Sequence, residues 1–206
     1  PDSTMVVFNA NPPSGQSGSG ALYKQSISGG APILVDDCSE TGGCGWSNPK
    51  WASNGDLYVH KNVANCSSCP NGTDQGIWRM SDSGEDIVRI MPGSEHDDYG
   101  QIMSFDVSPD SSKIVFSARS NQSEHPGVCD NINNLGGHAY CAYIMDIDGS
   151  NVVRLGTKTE RLWLDPVWSS DGSKILFVGG WRSSSTQRIF IIDSNGLALA
   201  IGGTGG

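Results

Sequence analysis

Short apolar runs punctuated by glycine- and serine-rich turns repeat along the entire chain. The segment SPDSSKIVFS from Ser108 pairs with YIMDIDGSNVVRL from Tyr143, and SSDGSKILFV from Ser169 pairs with FIIDSNGLALAI from Phe190. Two looser copies lie upstream: PDSTMVVFN from Pro1 with LYKQSISGGAPILV from Leu22, and ASNGDLYVH from Ala52 with WRMSDSGEDIVRI from Trp78. Each copy reads as a turn, a strand, a connection of variable length, then strand, glycine turn and strand. The strands are rich in Val, Ile, Leu, Phe, Tyr and Trp, which suit a half-buried pleated surface. The final turn of each copy carries Gly29, Gly84, Gly149 or Gly196.

With strands labelled A to D from inside out, the third copy places A at 103–108, B at 113–118, C at 142–147 and D at 151–156. The fourth places them at 165–169, 174–178, 188–193 and 197–201, and the second at 49–52, 57–60, 77–81 and 87–90. Self-similarity of this size predicts an all-β fold, a β-propeller with four recognisable four-stranded blades at about 1–48, 49–102, 103–164 and 165–206. The first blade lacks its inner strand. Propellers run from about four to eight blades, so an arc of a larger ring is expected, and a closed four-bladed ring with an irregular seam is the alternative. Pro1 already lies inside a motif, so a mature or partial chain is expected. Flanking domains or neighbouring subunits would then cover the open strand edges.

Pro166, Trp168, Ser169, Asp171, Gly172, Ile175 and Phe177 follow the pattern P-x-W-S-P-D-G-x-x-I-x-F. Tyr143, Asp146, Asp148, Gly149, Ser150, Asn151, Arg154 and Leu155 follow an apolar strand leading into D-x-D-G-S-N and R-L. These residues resemble the TolB-like β-propeller repeat, a relative of the WD repeat. The match is specific in the third and fourth copies and loose in the second, where Asn54-Gly55 replaces the Pro-Asp-Gly turn. The resemblance implies an interaction platform, and related propellers also accompany hydrolase domains or act as metal-dependent polysaccharide lyases.

Composition narrows the partners. The formal charge of -9 on 206 residues argues against nucleic acid and anionic membranes. No apolar run is long enough to cross a bilayer. The 27 glycines suit tight hairpins. The six cysteines fall into local pairs, Cys38 with Cys44, Cys66 with Cys69 and Cys129 with Cys141. Such pairing favours disulfides and an extracytoplasmic, periplasmic, cell-surface or secreted location, although spacing does not settle connectivity. Cys38, Cys44, Cys66 and Cys69 as a four-thiolate zinc site is a weaker reading, because C-x5-C is unusual for a zinc knuckle. A redox role for Cys66 and Cys69 lacks a helix N-terminus to lower the thiol pKa. The sequons at Asn65, Asn71 and Asn121 are near chance in so Ser/Asn-rich a chain.

Antiparallel strands put A–B and C–D turns at one end of a blade and B–C and D–A connections at the other. The second end carries the long insertions and all six cysteines. It also carries the binding candidates Trp46, Tyr99, His125, His138, Trp163 and Trp181, with His60 at its rim. Trp51, Trp78 and Trp168 fall inside strands and are expected in the core. His96, Asp97 and Asp98, within Glu95-His-Asp-Asp98, are weak candidates for a divalent cation, against the commoner reading of a solvated acidic loop. Asp146-x-Asp148-Gly149 resembles the start of a calcium loop without its downstream glutamate, so it reads as a turn. No nucleophile elbow, HExxH, P-loop or haem-attachment motif is present, and no catalytic residue or organic cofactor is predicted. The expectation is a binding or scaffold module for a protein or glycan. The alternatives are the propeller portion of a larger enzyme and a structural subunit of a surface assembly.

Overall fold

The computed structural model describes residues 4–11, 20–37, 45–62, 75–92, 101–121, 138–155, 164–180, 187–195 and 198–199. Among them the regular structure is entirely β. Contacts divide the chain into two compact units, Pro1–Glu95 and His96–Gly206.

The first unit holds two antiparallel sheets. One has three strands, β1 (Met5–Ala10), β2 (Ala21–Ser26) and β3 (Ile33–Asp36), in that spatial order. The other runs β4 (Gly45–Trp51), β5 (Leu57–Asn62), β6 (Gly76–Met80) and β7 (Val88–Pro92). The strand that begins each complete blade has no counterpart in the first sheet among the described residues. Strand alternation sends Leu57 and Val59 to one face of β5, where they pack with Leu22, Trp46 and Met80. Val7, Val35, Trp51 and Trp78 border this core.

The second unit repeats the complete pattern twice. Its strands are β8 (Gln101–Val107), β9 (Lys113–Asn121), β10 (His138–Asp146) and β11 (Val153–Leu155), then β12 (Leu164–Trp168), β13 (Lys174–Gly180), β14 (Gln187–Asp193) and β15 (Ala198–Leu199). The core between the two sheets takes Val115, Ala142 and Leu155 from one and Trp168, Ile175, Phe177, Phe190 and Ile192 from the other. Backbone N–H groups of β12 are met by the neighbouring sheet. Trp168 N donates to Asp106 Oδ2 at 2.9 Å and Asp165 N to Ser104 Oγ at 3.1 Å.

The repeat motif explains why the turns look alike. Ser108 Oγ donates to Asp110 Oδ1 at 2.6 Å and accepts from Lys113 N at 2.9 Å; Ser169, Asp171 and Lys174 do the same at 2.6 and 2.9 Å. The carboxylates then accept from the backbone N–H two residues on, an Asx turn. Lys113 and Lys174, which open β9 and β13, form ion pairs with Asp146 and Asp193 at the ends of the adjoining strands. Asp146 also accepts from Asn151, and Asp148 from Ser150, so this segment is the expected turn. Strand order follows the sequence reading in all four sheets, and Trp168 is buried as expected.

One placement is corrected. Trp46 belongs to strand β4, not to a connection, and is 2% exposed. The strand continues through Pro49 because a bulge intervenes between Ser47 and Lys50, with Asn48 in a left-handed conformation at φ 50°. A second bulge, between Leu164 and Val167, carries β12 past Pro166 in the same way.

Candidate functional site

The longest connections gather at one end of the strands, although 181–186 at that end is no longer than the brief ones. Those at the opposite end are brief: 27–32, 52–56, 81–87, 108–112, 147–152 and 169–173. The long ones include 63–75 and 122–137. The connection-bearing end of each unit is therefore the candidate site, and its described part consists of the strand ends that support the connections.

In the first unit Trp46 on β4 lies opposite Lys61 on β5, and Lys61 lies opposite Gly76 on β6. The Lys61 ammonium lies diagonally across from Trp78. Its Nζ stands 4.8 Å from the Trp78 ring centre and 5.6 Å from that of Trp46, and Lys61 has no exposed surface. The two indoles meet edge to face at 6.1 Å and 74°. Trp46 Nε1 donates to Asp36 Oδ1 at 2.6 Å. Trp46 is thus a packing element of the sheet core rather than a ring presented to a ligand.

The opposite face of β5 carries His60, 5% exposed. Ser47 Oγ lies 3.3 Å from its Nδ1, while Nε2 has no hydrogen-bond partner. Burial pushes its pKa down to about 4, so the imidazole is neutral at physiological pH. Gln75, which ends the 63–75 connection, is also buried and its Nε2 lacks a partner. Alternation within the strand could have foretold that His60 and Lys61 point to opposite faces. Nothing in the linear pattern marks either as buried.

In the second unit β9 and β10 run further toward this end than the sequence pattern predicts, pairing as far as Asn121 with His138. His138 is thereby the first residue of β10, and Cys141 is buried at 2% opposite Ala118. The remaining candidates, Tyr99, His125, Trp163, Trp181, Cys38, Cys44, Cys66, Cys69 and Cys129, and the cation candidates His96, Asp97 and Asp98, lie outside the described residues. Among the described residues no group of three His, Cys, Asp or Glu side chains could hold a metal ion. No helix among them is long and apolar enough to cross a membrane.

No protein-family model matches the chain, and no curated protein sequence does. Solved structures do match. A putative TolB from Agrobacterium tumefaciens superposes with a TM-score of 0.63 at 20% identity, covering 96% of this chain and 60% of that one. A chain of a nidogen/laminin complex gives 0.58 at 10% identity, covering 86% and 54%. An oligogalacturonate lyase in complex with manganese gives 0.55 at 11% identity, covering 88% and 41%. At these identities the likeness is one of fold. The architecture is that of TolB-like β-propellers, and the chain spans less than two thirds of each of these structures.

Proposed function

We propose that this chain is the propeller portion of an extracytoplasmic binding or scaffold protein, whose connection-bearing end engages a protein or glycan partner. The observation that carries this reading is the gathering of the longest connections at one end of well-packed sheets. Function tends to gather on loops held by such scaffolds. Likeness to TolB and to a nidogen/laminin complex supports a platform role. The net charge of -9 supports a partner other than nucleic acid. In this reading Cys38–Cys44, Cys66–Cys69 and Cys129–Cys141 staple connections that lack a core of their own. Trp163, Trp181, Tyr99, His125 and His138 supply contacts.

The test is a binding screen of the purified chain on a glycan array and against extracytoplasmic proteins by cross-linking. Alanine at Trp163 and Trp181 should weaken each interaction found by about tenfold or more, roughly 1.4 kcal/mol. Unchanged affinity in both variants for every partner would refute the reading. Intact-mass measurement with and without reduction tests the staples independently.

A second reading is the propeller portion of a larger metal-dependent enzyme. Likeness to the manganese-bound lyase favours it, and His96, Asp97 and Asp98 are its candidate ligands. Metal analysis after incubation with manganese decides it: stoichiometric retention abolished by His96→Ala supports the reading, and no retention removes it.

A further inference from the structure

The covered interface of the second unit is a template for faces that lie open. There the third sheet, β8 to β11, lays Val115 and Ala142, with Ile144 beside them, against Ile175, Phe177, Phe190 and Ile192 of the fourth sheet, β12 to β15. Strand pairing sets the covered face in rows, Ile175 opposite Ile192 and Phe177 opposite Phe190. The covering face has rows of its own: Asp106, Val115 and Ile144, then Ser104, Ser117 and Ala142. Asp106 and Ser104 accept from backbone N–H groups of β12, the first strand of the covered sheet.

The first sheet repeats the covered pattern. Val6 lies opposite Gln25 and Phe8 opposite Tyr23, on the face turned away from the core that Val7, Leu22 and Val35 join. Phe8 and Tyr23 stack at 6.0 Å and 21°. Ile175, Phe177 and Phe190, at the same places in the fourth sheet, are buried, whereas Val6 is 47% exposed. The far face of the fourth sheet repeats the covering pattern. Val167, Leu176 and Ile191 form one row, where the third sheet has Asp106, Val115 and Ile144. Val178 and Ile189 continue it, where the third sheet has Ser117 and Ala142. Ala142 is wholly buried and Ile189 is 58% exposed. The chain therefore carries both halves of one sheet-to-sheet interface, and both lie open.

Two features select the occupant. Val167 stands where Asp106 accepts an N–H from the first strand of the covered sheet, and a valine side chain accepts nothing. A sheet with that strand in its ordinary place would lose an acceptor on docking here. The first sheet has no such strand among the described residues, so it makes no such demand. Charge agrees. The rows named on both faces hold no ionised side chain, in a chain of net charge -9. Lys174 and Asp193, which border the fourth-sheet rows, neutralise each other, as Lys113 and Asp146 do beside the covered interface. Two acidic copies can meet there without burying an unpaired charge. Val6 and Ile189 are exposed in the single chain, so the occupant comes from outside it.

We propose that the chain associates head to tail with a second copy, the far face of one copy's fourth sheet covering the Val6, Phe8 and Tyr23 face of the other's first sheet. Each copy offers two different faces, so the contact is heterologous. It does not involve the connection-bearing end and stands or falls separately from the binding role proposed there.

Sedimentation velocity of the full chain across the micromolar range is the readout. The native chain should associate as its concentration rises. Val6→Asp and Ile189→Asp, each at an exposed position on one face, should each weaken association by about tenfold or more. Val153→Asp adds the same charge at an exposed position on neither face and should associate as the native chain does. An equimolar mixture of the Val6→Asp and Ile189→Asp chains should form pairs, because one intact face of each kind remains. Near-ultraviolet circular dichroism checks that each variant keeps the native packing. A native chain that stays monomeric throughout overturns the proposal. So does a Val6→Asp or Ile189→Asp chain that associates at native strength, and so does a mixture no more associated than its two components.

Discussion

The Lys61 ammonium lies 4.8 Å from the ring centre of Trp78 while being wholly removed from solvent. A desolvated cation over an indole face is worth about 2 kcal/mol, and Lys61 faces a second indole at 5.6 Å. Lys61→Met, which keeps the stem but not the charge, should cost about 1–2 kcal/mol in denaturant unfolding. A double-mutant cycle with Trp78→Leu should show coupling of at least about 0.5 kcal/mol. Strict additivity would mean that the cation contributes nothing through the ring.

Gly84 distinguishes backbone strain from steric conflict. Its φ is +84°, and an added Cβ would fall 2.3 Å from the carbonyl oxygen of Val35. Gly55 has a similar φ of +91° with nothing within 4 Å. Gly55→Ala should cost about 1–2 kcal/mol, the left-handed penalty alone. Gly84→Ala should cost clearly more, about 3 kcal/mol or above, because backbone must move. Equal losses in thermal or denaturant unfolding would contradict the close approach.

His60 should make stability depend on pH in a defined window. Burial holds its folded pKa at about 4, below the ordinary 6.5. Between these values the unfolded chain binds the extra proton, so stability is full above pH 6.5 and falls as pH drops toward 4. The loss is on the order of 2–3 kcal/mol at the lower end. His60→Phe should flatten the slope of unfolding free energy between pH 6.5 and 4.5, whatever it does to absolute stability. An unchanged slope would show that the imidazole is not the titrating group.

Asp171 should act in a lower window. Hydrogen bonds, chiefly from the Ser169 hydroxyl and then from Ser173, hold its pKa at about 2. Their support is present above the ordinary value near 3.8 and is lost as pH falls through about 2. Ser169→Ala should raise the Asp171 pKa, read from its side-chain carboxyl carbon in 13C spectra. Ser108→Ala should raise that of Asp110 by the same logic and should also destabilise the fold by about 1–2 kcal/mol, since buried Ser108 Oγ is the acceptor for Lys113 N.

Much of the fold was legible before any coordinates because its signals are local. The apolar run from Ile114 to Phe116 and the Ser-Pro-Asp turn before it are local in sequence, and the strand and turn they predict are the ones that form. The candidate site was less legible. Trp46 looked like a connection residue because the strand was expected to begin at Pro49, and the bulge at Asn48 lets pairing start earlier, at Gly45. A cleft by Trp168 left no linear trace either, since its walls come from turns about sixty residues apart in sequence that are brought together by the core and the hydrogen bonds between their sheets.

By itself the amino-acid order determined strand sequence, turn chemistry and the gathering of the longest connections at one strand end. Apolar strand runs and glycine- or serine-rich turns are decided within a few residues. Tertiary structure decided burial: that Lys61 and His60 are dry, that Trp46 is packing, and that the Trp168 indole N–H is buried without a partner. Solvent exclusion depends on what a second sheet places against the first, and that is a property of packed surfaces rather than of neighbouring residues.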